Sequence, residues 1–132
     1  MKAIDTNVLV RFLIDDDPDQ CRRARALAAR AQVDGERLFV SDVVLCEVVW
    51  VLARVYRVKR DVVRSTLRSL LHADNLAFVD SAALGRALDA FERGRGDFAD
   101  YVIREHARGS GATILVTFDA ALLSEKGFVA PA

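Results

Sequence analysis

Long hydrophobic runs are missing from this chain. The longest uninterrupted apolar stretch, Val48 to Ala53, is far below the ~20 residues that a membrane span requires, so no membrane association is expected. Glycine and proline are sparse, at 7 and 2 of 132 residues. With 52% hydrophobic and 29% charged residues, this excludes a disordered or fibrous chain and predicts a single globular domain over residues 1–132. Cysteine is scarcer still. Cys21 and Cys46 have no close Cys or His partner, which argues against a disulfide framework or a zinc site and for two reduced thiols packed as small hydrophobes. Asp5 and Arg11 interrupt the apolar stretch that a signal peptide would need, and a cytoplasmic protein is expected.

A net charge is also lacking, since 19 basic residues balance 19 acidic ones, so the chain does not grip nucleic acid over its whole surface. The basic set is nevertheless biased: 16 of the 19 are Arg, whose planar fork suits phosphate. Arg57, Arg60, Arg64 and Arg68 recur at helical spacing, as a phosphate-facing or simply solvated helix face.

Strand-like runs alternate with longer helical patterns, which predicts an α/β domain with a largely parallel sheet. Strands are expected at 2–5, 38–41, 76–79 and 113–117, with an edge strand at 128–129. Helices are expected at 6–13, 18–32, 42–56, 61–72, 81–93, 97–108 and 119–123. Pro18 opens the second helix, and Asp80 or Ser81 caps the one that ends near Arg93.

Five carboxylates stand apart from the acidic residues of loops and helix ends. Glu47 is the only residue between Val43 and Ala53 that is not hydrophobic. A helix apolar on all sides is expected to be buried on all sides, and a buried carboxylate needs a cation, an ion pair or a proton. Asp5 and Asp119 each follow a strand, and ligands of open parallel sheets sit beyond the strands' carboxyl ends. The two would meet if their strands are neighbours; each alone could be a helix N-cap. Asp97 and Asp100, three residues apart, share one helix face, with Phe98, Val102 and Ile103 on the buried side. Asp97 could be the cap of that helix, whereas Asp100 lies too far inside for capping to explain it. Carboxylates gathered this closely repel unless a cation is present, and oxygen donors without His or Cys suit Mg²⁺ or Mn²⁺. The chemistry expected is in-line attack of an activated water on a phosphodiester.

In this order the residues resemble the PIN-domain nucleases over almost the whole chain. Ile4-Asp5-Thr6-Asn7-Val8-Leu9 is similar to the family's first motif, and Ser41 followed by Glu47 to its second. Asp97-Phe98-Ala99-Asp100-Tyr101-Val102-Ile103 is similar to the third, and Val116-Thr117-Phe118-Asp119 to the fourth. The small size looks most like the VapC toxins. The resemblance implies a three-layer α/β/α sandwich, Mg²⁺-dependent endonucleolytic cleavage of RNA, a homodimer, and inhibition by a VapB-type antitoxin. It also implies an acidic quartet of Asp5, Glu47, Asp100 and Asp119, with Asp97 a fifth, supported by Thr6, Asn7 and Thr117. Tyr101-Val102 depart from the small or Leu residues more usual there, and Gly109-Ser110-Gly111 lengthens the next turn. Which of Asp97 and Asp100 touches a metal stays open.

Three other readings compete. A haloacid-dehalogenase-type phosphatase also ends its first strand in Asp, but needs a second Asp where Asn7 stands and a helix-borne Lys. A housekeeping PIN nuclease and an inactive interaction module are the others. The apolar helix with Leu45, Val49, Trp50, Leu52 and Ala53, together with the Arg-bearing helix after it, is expected to serve a dimer contact and an antitoxin groove. For Trp50 the alternative is a place in the monomer's own core.

Overall fold

Side-chain caps set where most of the helices begin. In the computed structural model, which describes residues 1–132, strand β1 (Lys2–Ala3) leads into α1 (Thr6–Leu13), and the Asp5 carboxylate accepts from the Val8 amide at 3.1 Å. Asp17 caps α2 (Pro18–Val33), with Pro18 in the first turn where its missing N–H costs nothing. After β2 (Leu38–Phe39), Ser41 caps α3 (Asp42–Arg54). Helix α4 (Arg60–Leu71) starts without a side-chain cap and is followed by β3 (Leu76–Ala77). Asp80 caps α5 (Ser81–Arg93), and Asp97 opens α6 (Phe98–Gly109) before β4 (Leu115–Val116) and β5 (Phe128–Val129).

The chain divides into two compact units, residues 1–79 and 80–132. In the first, β1, β2 and β3 form a parallel sheet in that order, with Lys2 opposite Leu38 and Leu38 opposite Leu76. Pairing runs one residue past each strand, as Ile4 N–H donates to Phe39 O at 3.0 Å and Val40 N–H to Ala77 O at 2.9 Å. Helix α1 packs on α2 and α3, and α3 on α4. Leu9, Leu38, Val40, Leu45, Val48, Val63 and Leu67 are the buried apolar residues that hold this unit together.

In the second unit β4 and β5 pair in parallel, Leu115 opposite Phe128, and α5 packs on α6. Phe91 meets Phe98 edge to face at 5.9 Å between centroids, and Tyr101 meets Phe128 at 6.1 Å. The helix expected at 119–123 is instead a series of turns. Leu122 N–H donates to Asp119 O and Glu125 N–H to Leu122 O, each three residues back rather than four. The Asp119 side chain also takes the Ala121 amide at 2.9 Å, a local bond that competes with helix propagation. Arg57 departs from expectation too. It precedes α4 with φ of 53°, in the left-handed region, and so does not share a helix face with Arg60, Arg64 and Arg68. No helix is long and apolar enough to cross a membrane.

Candidate active site

In the first unit one threonine joins Glu47 to the start of α1, directly after Asp5. Thr6 follows Asp5 directly, and its hydroxyl donates to Glu47 Oε2 at 2.7 Å, tying the start of α1 to the middle of α3. Asp5 is exposed, and one of its oxygens is engaged in capping α1; Asn7 is exposed on the same first turn.

Glu47 is exposed as well, which overturns the burial expected from its apolar neighbours. Helix α3 buries only the stripe of Leu45, Val48, Val49 and Leu52. Val43, Glu47 and Trp50 recur at helical spacing on a different face, and that face is open: Val43 is 67% and Trp50 59% exposed. An all-apolar sequence predicts a helix covered all round, but here part of its apolar surface faces outward. Trp50 is therefore no core residue. Leu45, Val49 and Leu52 are buried within the unit and do not belong to an outward surface, whereas Ala53 does.

In the second unit Asp97, Asp100 and Asp119 form an electrostatic group. Asp97 is the N-cap residue of α6, and its backbone N–H donates to Asp100 Oδ2 at 2.8 Å. Asp100, the third residue of the helix, thus reaches back to the cap in the manner of a capping box. Capping does explain its position, contrary to expectation, because the helix begins at Phe98 and Asp100 lies in its first turn. Partial burial drives the Asp100 carboxyl above its ordinary value. The charges of Asp97, Asp119 and Glu125 push the same way, against the stabilising bond from the Asp97 backbone. Asp119 is exposed after β4, and its N–H donates to the Thr117 hydroxyl at 3.0 Å. Along α6 the buried residues are Phe98, Tyr101, Val102 and Glu105, whereas Ile103, expected inside, is 51% exposed.

Two carboxylates that sequence reasoning passed over prove to be structural anchors. Glu125 accepts the Tyr101 hydroxyl at 2.8 and 2.9 Å and the Arg95 amide at 3.3 Å. Glu105 is the one buried charged residue of the chain, and it meets Arg86 at 2.9 Å and Arg108 at 3.1 Å. A signal for Glu105 was present: Phe98, Tyr101, Val102 and Glu105 follow the i, i+3, i+4, i+7 pattern of one buried face. Glu125 had no such signal, because it lies in turns whose contacts only folding brings together.

The candidate donors are all oxygens, and the repulsion acting on Asp100 is of the kind a cation relieves. The donor chemistry therefore fits a hard divalent ion, although no three Asp, Glu, His or Cys side chains are gathered closely enough to form a complete metal-holding group.

The sequence profile of the PIN domain family matches residues 2–128 of the chain. A VapC ribonuclease of Aquifex aeolicus (strain VF5) is 24% identical over 118 residues, which cover 89% of this chain and 87% of that protein. With strand pairing that is parallel throughout, the profile match bears out the expected fold class, PIN-like α/β/α.

Proposed function

This chain belongs to the PIN domain family, and on that footing we propose that it is a metal-dependent endoribonuclease, one nuclease domain over residues 1–132, acting as the toxin of a VapBC pair. The observation that carries the proposal is the half-buried Asp100 carboxyl, raised above its ordinary value first by burial and further by the charges of Asp97, Asp119 and Glu125. The capping box accounts for the place of Asp100 in the helix, and a bound cation would in addition offset the neighbouring charge.

In this reading Asp5, Glu47, Asp100 and Asp119 are the catalytic carboxylates, and Asp97 is a fifth candidate ligand. Thr6 fixes the Glu47 carboxylate through its 2.7 Å hydrogen bond, so one oxygen is oriented and the other left free. Thr117 holds the Asp119 backbone at the end of β4, which sets the direction of that carboxylate. Asn7 supports the first-strand turn as an exposed amide. Asp5 and Glu47 in the first unit, and Asp97, Asp100 and Asp119 in the second, are the candidate ligands of Mg²⁺, with Mn²⁺ an alternative, and the ion would supply charge stabilisation and a more acidic water. The substrate is RNA, and the protein works in the cytoplasm.

The proposed partners are a VapB-type antitoxin and a second copy of this chain. The open face of α3, with Val43 and Trp50 on either side of Glu47, offers an apolar contact next to a proposed catalytic carboxylate. An antitoxin Arg or Lys that pairs with Asp5 or Asp119 would displace the metal.

Incubation of total RNA with the purified protein, with and without Mg²⁺, tests the proposal. Cleavage should require the ion and should disappear in Asp5→Asn. Cutting by Asp5→Asn at the wild-type rate would remove the acidic-site assignment.

A further inference from the structure

Within the first unit, a cleft of about 370 Å³ opens beside Asp5 between α1 and α2, within the usual range for a small-ligand site. Its apolar lining is Val8, Ala24 and Leu27, and its polar lining is Asp5, Asn7, Arg11, Gln20 and Arg23.

Away from Asp5, the polar groups of this lining are biased toward donating. Gln20 Oε1 is already occupied by Arg11 Nε at 2.7 Å, which leaves the amide NH₂ as the available end. Arg11 is itself held in place, because its Nη1 donates to Asp16 at 3.1 Å and to the Tyr56 hydroxyl at 3.3 Å, and that hydroxyl donates to Asp16 at 2.6 Å. Gln20 is thus fixed by a braced partner. Arg23 lies no closer than 3.8 Å to Asp19, which pairs more tightly with Arg22, and its side chain is 76% exposed. Its guanidinium is available to an external anion. Arg25 and Arg30, elsewhere on α2, pair with Asp15 at 3.8 Å and with Asp34 at 3.1 Å.

We propose that this cleft is a substrate subsite for one nucleotide of a single-stranded RNA, flanking the bond cut beside Asp5. Arg23 takes its phosphate, the Gln20 amide and Asn7 take the polar edge of the base or ribose, and Val8, Ala24 and Leu27 accept the flat apolar surface. The proposal rests on the nuclease reading for its substrate class. Single strands are bound by basic groups on the phosphate together with hydrogen bonds to base edges, and here Val8, Ala24 and Leu27 supply the apolar surface that an aromatic platform more often provides.

The test is binding of a short fluorescent single-stranded RNA in EDTA, read by anisotropy across a salt series, with the probe shown intact afterwards. Arg23→Ala should weaken binding about fivefold or more and reduce the dependence of log affinity on log salt by about one. Gln20→Ala should weaken binding while leaving that slope unchanged. Arg30→Ala removes the same charge from the same helix outside the cleft, and should change affinity by less than about twofold. Equal effects of Arg23→Ala and Arg30→Ala would overturn the subsite. So would an Arg23→Ala protein that binds RNA as wild type does but no longer holds a co-expressed protein partner, which would make the cleft a protein-docking groove. The two proposals fail separately. A wild-type chain that binds through Arg23 but does not cut when Mg²⁺ is added keeps the subsite and loses the nuclease. One that cuts while Arg23→Ala binds unchanged keeps the nuclease and loses the subsite.

Discussion

The Tyr101 hydroxyl donates to Glu125 at 2.8 Å and accepts the Gly96 amide at 3.0 Å, so a single buried phenol ties the loop before α6 to the turns that follow Asp119. A side chain at Gly94 or Gly96 would collide with this junction: a Cβ at Gly96 would lie 2.4 Å from Leu122 Cδ2, and one at Gly94 would lie 2.0 Å from the phenol oxygen. Tyr101→Phe should therefore cost about 1–3 kcal/mol, because the buried Gly96 amide and the Glu125 carboxylate each lose a hydrogen bond. Glu125→Gln, which can still accept, should cost less, and the double variant less than the sum of the two. Urea unfolding of the three variants measures this. Full additivity would dissolve the coupling.

Asp100 carries a prediction about pH and metal. Its folded-state carboxyl is raised above the ordinary 3.8, chiefly by burial and further by neighbouring charge. The fold favours its protonated form, so its contribution to stability is complete below the unfolded value and is lost as pH rises through the folded one. Asp100→Asn should thus melt higher than wild type at neutral pH without metal, with the gain vanishing toward acid. Mg²⁺ should raise the wild-type melting temperature in proportion to occupancy and leave Asp100→Asn unmoved. A metal shift of full size in that variant would transfer the ligand role to Asp97.

Cys46 should be an unreactive thiol. Burial, aided by the charge of Asp42, pushes it from 9.0 up to about 11. At pH 8 the thiolate fraction, and with it the rate of alkylation by iodoacetamide, should fall about a hundredfold relative to the unfolded chain. The raised value also means that its contribution to stability persists below the unfolded value and is lost as pH climbs through about 11. Equal rates in native and denatured protein would contradict the burial.

Trp50 separates assembly from stability. It is 59% exposed, so Trp50→Ala should change monomer stability by less than about 1 kcal/mol. If α3 contributes to a dimer, the same change should shift sedimentation at micromolar concentration toward the monomer. A wild-type chain that sediments as a monomer, indistinguishable from the variant, would exclude the contact.

Local rules set most of what was legible in the sequence. Asp17-Pro18, Ser41 and Asp80 mark helix starts because a short polar side chain can satisfy the first free amides only at that point. The α/β class followed from the alternation of strand and helix patterns, and the four motifs in order sufficed to indicate the family. Tertiary structure decided what the surroundings of each charge would be. Glu47 and Glu105 both lie within helices. The one that looked buried is exposed, and the one that looked ordinary is 6% exposed and held by two arginines. A helix's sequence gives the apolar character of its faces but not which of them another element covers, and the cost of burying a charge depends on that covering. The capping role of Asp100 is hidden for a similar reason, since it turns on where α6 begins. Glu125 became a partner of Tyr101 only through the turns between β4 and β5, which join residues 24 apart through contacts that no local pattern encodes.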